Sequence, residues 1–227
     1  MKMRINKKRK NILIFFGPPA SGKGTQAEKM GRKLKLPVLS IGELLREECR
    51  GKTSIGKKIE NIVSSGKLVS DKIIIKIVDK NLKNKKNING FILDGFPRNT
   101  NQLKYLKNKF SMIMEKGDSI FCFFIKISSQ EVIKRISGRR ICKCGKLYHL
   151  IYNPPKIKNI CDQCGRKIFA RADDNPKVIR NRLKIYNKMT KPVINYFNIN
   201  NCLFLINGEQ SINKVAKDIW NLYKNIL

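Results

Sequence analysis

The strongest constraint on this chain is an apolar run that stops abruptly at a glycine. Asn11 to Phe16 reads as a buried strand, and it is followed at once by Gly17-Pro18-Pro19-Ala20-Ser21-Gly22-Lys23-Gly24-Thr25. A helical pattern then runs from Gly22 to Leu36. Strand, glycine-rich loop and helix in that order form a phosphate cradle. The glycines let backbone N–H groups turn inward around phosphate oxygens, and the helix N-terminus adds its partial positive charge. The loop matches G-x-x-x-x-G-K-[ST] except that Gly24 separates Lys23 from Thr25. Lys23 is expected to reach the β- and γ-phosphates, and Thr25 supplies the hydroxyl nearest to an accompanying Mg²⁺.

The remaining pattern alternates strand and helix. Further strands are expected at Pro37–Ser40, Gly90–Asp94, Ile120–Ile127 and Leu203–Ile206. Helices are expected over Gly42–Leu82 with breaks near Gly51 and Gly66, then Asn101–Asn108, Ser129–Ser137, Asn175–Tyr196 and Ser211–Ile226. Five strands separated by helices predict an α/β fold with a five-stranded parallel sheet covered on both faces. Trp220, on the last helix, is expected in the core. Gly138 to about Asp174 has a different texture, with paired cysteines, Pro154-Pro155 and short segments. It reads as a small β insertion stapled by a metal.

Charge narrows the partners. With 49 Lys and Arg against 16 Asp and Glu in 227 residues, the formal charge is +33, which attracts anions of every kind. The lysines are scattered and aromatic residues make up 8%, whereas a nucleic-acid binder gathers charge on one face beside stacking rings. Nucleic-acid binding is therefore not expected as the main function. No apolar run approaches the roughly 20 residues of a membrane span, and Met1–Lys10 is a basic extension with no signal-peptide core. A cytoplasmic protein without a membrane partner is expected.

Seven cysteines in such a chain argue against a disulfide framework. Cys142-x-Cys144 and Cys161-x-x-Cys164 form two close pairs, each near glycine, which suits Zn²⁺ in a closed, structural Cys₄ site. The first pair is one residue tighter than the second, so His149 stands as an alternative ligand. Four free thiols in a segment held by packing is the competing reading. Cys49, Cys122 and Cys202 lie in or beside apolar stretches and are expected to be inert.

Beyond these patterns the chain resembles the adenylate kinase family, of the long-lid, zinc-binding type. The resemblance rests on Gly22-Lys23-Gly24-Thr25-Gln26, Asp94-Gly95-Phe96-Pro97-Arg98, Gly138-Arg139-Arg140, Arg171-Ala172-Asp173-Asp174 and Arg182, in that order. It implies a P-loop nucleoside monophosphate kinase that moves a phosphoryl group reversibly from ATP to AMP with Mg²⁺, working as a monomer. Its implied core covers residues 11–39, 70–137 and 175–227, behind the extension 1–10. An insert for the acceptor nucleotide spans 40–69, and a zinc lid spans 138–174.

The resemblance also implies roles. ATP would lie along Gly17 to Thr25, with Arg135 stacked on its adenine. Lys23, Arg98, Arg139, Arg171 and Arg182 would surround the moving phosphoryl group, and Asp94 would hold Mg²⁺ with Thr25. AMP would meet Ile41, Arg46, Lys67, Leu68, Val69, Gly95, Arg98, Gln102, Arg171 and Arg182. Asp173 and Asp174 would orient arginines where lid meets core. The chemistry agrees with the composition: a phosphate acceptor is largely dianionic at neutral pH and needs no strong base, so such a site is rich in arginine, and the chain holds one histidine. Two residues depart from the family pattern, Ile41 in place of a small hydroxyl residue and Glu43 in place of Asp, and both bear on the acceptor base. Other nucleoside monophosphate kinases, a GTP-using AMP kinase or a UMP/CMP kinase, and a nucleic-acid-binding protein on a kinase scaffold are the alternative readings.

Overall fold

The computed structural model describes residues 9–51, 54–64, 69–84, 87, 89–171 and 174–226. The expected site residues Lys67, Leu68 and Asp173, and most of the basic extension, lie outside the described residues.

The first strand, β1 (Asn11–Phe16), is apolar without alternation because both of its faces are covered. Ile12, Ile14 and Phe16 point into one core cluster, while Leu13 and Phe15 point into the other. Beside β1 run β3 (Gly90–Asp94) on one side and β4 (Ser119–Lys126) on the other, both parallel to it. β2 (Val38–Ser40) pairs with β3, and β8 (Leu203–Asn207) pairs with β4, again parallel. The order β2-β3-β1-β4-β8 is the expected five-stranded parallel sheet.

Helices pack on both faces. α1 (Lys23–Leu34) and α9 (Ile212–Ile226) share one face, where Trp220 packs partly buried against the core beside Tyr223. α4 (Asp71–Leu82), α5 (Thr100–Ile113) and α8 (Lys191–Ile199) contribute to the other. Asp79 joins α4 to α5, accepting hydrogen bonds from Tyr105 Oη at 2.9 Å and Lys109 Nζ at 2.7 Å.

Two parts stand outside this plan. Between β2 and α4 the chain forms α2 (Ile41–Arg50) and α3 (Ser54–Ser64). Between α6 (Ser129–Ser137) and α7 (Pro176–Ile185) it forms a second, antiparallel sheet. In that sheet β5 (Arg139–Cys142) lies between β6 (Leu147–His149) and β7 (Ile168–Phe169).

One expected helix is interrupted. The stretch expected to run to Tyr196 is α7, a π-helical turn over Tyr186–Thr190, and α8. Pro192, in the first turn of α8, has no N–H to donate back along the helix, so the preceding turn widens. The widened turn buries Thr190, whose hydroxyl donates to the Arg98 carbonyl at 3.0 Å.

Candidate active site

Parallel strands bring their carboxyl ends to one edge, which is where open α/β sheets bind ligands. Here β1 ends in the phosphate loop, β3 ends at Asp94, and Ser40 at the end of β2 is in register with Asp94. A cleft of about 1120 Å³ opens at that edge, lined by the loop, α2, the Asp94–Arg98 turn, the antiparallel sheet and α7.

The floor is built by close approach. A Cβ placed on Gly24 would lie 3.2 Å from Asp94 Oδ2, so a side chain here would crowd the strand-end carboxylate at the start of α1. Asp94 Oδ2 accepts from Ser40 Oγ at 2.8 Å, and Asp94 Oδ1 is buried with no protein partner. An orphaned carboxylate oxygen facing a phosphate loop, with Thr25 lining the same cleft, fits a hydrated Mg²⁺.

Lys23 crosses the floor with Nζ 3.3 Å from the Pro18 carbonyl. Burial lowers its pKa from 10.5 to about 8; Asp94 opposes the shift, and Arg98, Arg139 and Arg182 add to it. Arg98, Arg139 and Arg182 line the same cleft as Lys23 and Asp94. Arg98 is likewise pushed down, by burial first, with Asp94 opposing and Arg182 and Arg46 adding. Lys23, Arg46, Arg98, Arg139, Arg171 and Arg182 lining one cleft suit a ligand with several negative charges.

Each arginine is held. Gly95, at φ 78°, leaves room for the Arg98 guanidinium: a Cβ there would lie 2.8 Å from Arg98 Nη2. The Gly95 carbonyl accepts from Arg98 Nε at 2.8 Å. Arg139 makes a two-pronged ion pair with Asp174, Nε to Oδ2 at 2.7 Å and Nη2 to Oδ1, with the carboxylate 3% exposed. Arg171 and Arg182 line the cleft from the end of the second sheet and from α7. Arg46 donates through Nε and Nη2 to Glu43 Oε2 at 2.9 and 2.7 Å, and Arg50 reaches Glu43 Oε1 at 2.6 Å. Glu43 is buried enough to be penalised as an anion, yet these bonds hold its pKa below the usual value.

On the acceptor side, Ile41 (2% exposed), Val69 and Gln102 line the cleft. Gln102 is buried, with its amide oxygen 2.8 Å from Arg98 N and its amide nitrogen 2.8 Å from Asp71 Oδ1. On the donor side, Arg135 pairs with Glu131 at 2.7 Å and donates to the carbonyls of Ser21, at 3.3 Å, and Gly208, at 2.7 Å. Its guanidinium carbon lies 5.4 Å from the centre of the Tyr152 ring.

In the second sheet, the sulfurs of Cys142, Cys144, Cys161 and Cys164 all lie within 4.8 Å of one another. The pairs Cys142–Cys164 and Cys144–Cys161 are 3.4 and 3.6 Å apart, and none of the four is disulfide-bonded. Four Zn–S bonds of about 2.3 Å require S···S edges of about 3.8 Å. The short first pair therefore still closes a Cys₄ cage. Burial pushes the Cys161 thiol up, but bonds from Tyr148 and from the backbone at Gln163 and Cys164 outweigh it and bring it to about 6, which favours the thiolate a metal needs. His149 is outside the cage. Its Nε2 lies 3.0 Å from the Arg135 carbonyl, and its Nδ1 accepts from the N–H groups of Ile151 and Tyr152. The three remaining cysteines have pKa values raised chiefly by burial, as befits inert thiols.

Several participants escaped the sequence reading. Gly208 follows the last strand, so its position at the carboxyl edge was a usable signal. Tyr152, Asp71 and Thr190 carry no motif, and only folding brings them to Arg135, Gln102 and Arg98.

The strand order and this edge together give the fold of the P-loop nucleoside monophosphate kinases. The sequence profile of the family described as Adenylate kinase matches residues 15–202. The chain is similar to the adenylate kinase of Methanocella arvoryzae, with 41% identity over 91% of this chain and 95% of that protein. It is 40% identical to that of Thermosipho africanus over 93% of this chain and 99% of its relative. With that of Archaeoglobus fulgidus it shares 39% identity over 94% and 98% respectively. The chain belongs to the adenylate kinase family.

Proposed function

We propose that the protein catalyses ATP + AMP = 2 ADP, reversibly and with Mg²⁺, and so balances the adenine nucleotides. The observation that carries this reading is that Lys23, Arg98, Arg139, Arg171 and Arg182 line one cleft at the sheet edge together with Asp94. A nucleoside triphosphate and a monophosphate facing each other bring several negative charges into one cleft, and a tight cluster of cations offsets their repulsion.

In this reading the loop from Gly17 to Thr25 holds the donor phosphates, and Lys23 follows the β- and γ-oxygens. Arg98 and Arg46 grip the acceptor phosphate, while Arg139, Arg171 and Arg182 surround the phosphoryl group as its charge spreads over the equatorial oxygens. Thr25 and Asp94 would hold Mg²⁺, which neutralises charge between the donor phosphates. Asp174 keeps Arg139 in one orientation through its two-pronged contact. Arg135 stacks on the donor adenine, its position held by Glu131, Ser21 and Gly208. The stretch 40–69 acts as the acceptor insert and 138–174 as a lid, with Zn²⁺ stiffening the lid through the four cysteines. Closure of both over the cleft excludes water, which would otherwise accept the phosphoryl group.

Among the described residues no helix is long and apolar enough to cross a membrane. We further propose that the protein works as a monomer in the cytoplasm and that its scattered charge is not a nucleic-acid footprint.

Incubating the protein with Mg²⁺, ATP and AMP, with UMP, CMP and GMP as parallel acceptors and GTP as an alternative donor, tests the reading. Rapid ADP formation with AMP and ATP is the expected result. Transfer only to a pyrimidine acceptor, or only from GTP, would move the assignment within the kinases; no transfer at all would overturn it.

A further inference from the structure

Gln102 is held more tightly than a residue that merely lines a cleft. Its side-chain oxygen accepts from the backbone N–H of Arg98, and its side-chain nitrogen donates to Asp71 Oδ1, each at 2.8 Å. A backbone N–H can only donate and an ionised carboxylate can only accept. The amide of Gln102 therefore has a single orientation, since turning it over would set N–H against N–H and oxygen against oxygen.

Asp71 is well equipped for this. Its Oδ1 also accepts from Asn99 Nδ2 at 2.8 Å, and its Oδ2 accepts from Asn101 Nδ2 at 3.3 Å. Asn99 in turn caps α5 through its own oxygen, which accepts the Gln102 N–H at 2.9 Å. Three neighbouring side-chain amides thus converge on one carboxylate, and α5 is tied to the first turn of α4. Burial raises the Asp71 pKa, but these bonds from Asn99, Gln102 and Asn101 outweigh that and keep the group ionised.

We propose that Asp71 is a positioning residue for acceptor specificity, fixing the Gln102 amide so that it presents one N–H and one oxygen lone pair to the acceptor's base. That pair of donor and acceptor complements adenine, whose edge offers an amino N–H beside a ring nitrogen. It opposes a 6-oxo purine, in which an oxygen acceptor replaces the amino group. A free amide could turn over and accommodate either edge. The locked amide meets the wrong base with two acceptors facing each other, and a polar mismatch in a buried site is costly. Because the lock is supplied by α4 and the Arg98 backbone, the orientation of the amide does not depend on the residue at position 41. This inference rests on AMP being the acceptor and on Gln102 meeting its base.

The test is steady-state kinetics with AMP and with IMP as acceptors on the unaltered protein, Asp71→Ala and Asp71→Asn, together with KM for ATP and Tm for each. Asp71→Ala removes the acceptor from two buried N–H groups. The expected result is a rise of about tenfold in KM for AMP and a comparable fall in the AMP-to-IMP preference, with KM for ATP unchanged. Asp71→Asn keeps an oxygen where Oδ1 stands, and it is expected to restore most of both values. An unchanged AMP-to-IMP preference in a folded Asp71→Ala protein overturns the proposal. So does equal damage in both variants that falls on kcat and KM for ATP alike, the signature of a purely structural residue. If the unaltered protein transfers no phosphoryl group to AMP, the functional reading itself fails, a result distinct from either of these.

Discussion

The parallel-sheet body and the small antiparallel sheet beyond α6 are held together by different means. The body buries two clusters that include Ile12, Leu13, Ile14, Phe15, Phe121 and Phe123, all at 2% exposure or less. The small sheet buries Cys142, Tyr148, Cys161 and Ile168 as its own cluster, and two of those four belong to the four-cysteine group suited to a metal. Burial is worth about 25 cal/mol per Å² of apolar surface, so a body with many buried aromatic and aliphatic side chains is self-sufficient. A segment that buries so little is the kind a metal staple would stabilise, as proposed for the four cysteines. The cleft lies between the two, with its floor on the parallel-sheet body and part of its wall on the small sheet.

This contrast separates activity from stability, and the largest effect should show it. Lys23→Ala is expected to lower kcat/KM by about a thousandfold or more, since it removes the cation of the phosphate loop. Its far-UV circular dichroism and Tm should stay close to those of the unaltered protein, because burial already disfavours the Lys23 charge in the fold. Phe123→Ala should do the opposite, destabilising the body by about 3–5 kcal/mol in denaturant titration while the protein still binds its metal. Activity that survives in the first variant would break the assignment of the floor.

Removing the metal, by a strong chelator or by Cys161→Ser, should loosen the small sheet alone. Calorimetry should then show the main transition preserved, with activity down by about a hundredfold. A main transition that collapses with the metal would show the two regions to be one cooperative unit and erase the comparison.

pH offers a milder probe. Lys23 releases its proton at about 8 in the fold against 10.5 outside it, so above about pH 8 the free protein loses the charge that grips phosphate. The value of kcat/KM for ATP should fall roughly tenfold per pH unit beyond that point. Bound phosphates favour the charged form, so kcat should fall only at higher pH. Stability runs the other way: between 8 and 10.5 the unfolded chain holds more protons, so folding becomes more favourable as pH rises.

The smallest effect should come from Tyr148→Phe. The Tyr148 hydroxyl donates to Cys161 Sγ at 3.4 Å and accepts from the Asp162 N–H at 2.7 Å. Its loss should weaken metal binding by about tenfold, read by chelator competition, and leave the body untouched.

Much of this was legible in the chain. The strands Asn11–Phe16 and Gly90–Asp94 fall where the apolar runs and glycines put them, because a buried parallel strand must be apolar on both faces. The phosphate loop and the paired cysteines were legible because their chemistry needs residues at short spacing in one segment. The break in the helix after α7 was missed, since Pro192 acts on the turn before it and that turn is widened rather than ended. Asp71 was silent for another reason: a carboxylate at the start of a helix is ordinary until three amides arrive from a segment about thirty residues away.

The sequence by itself determined the layered α/β class, the glycine-rich loop between β1 and α1 and the grouping of the four cysteines, all of which depend on local backbone geometry and on the period of apolar residues. Only the tertiary structure decided which way the Gln102 amide faces, how closely Gly24 approaches Asp94, and that Arg135 is anchored by Ser21 and Gly208. Those outcomes depend on contacts of 2.7 to 3.3 Å between segments far apart in the chain, and such distances are set by packing rather than by spacing.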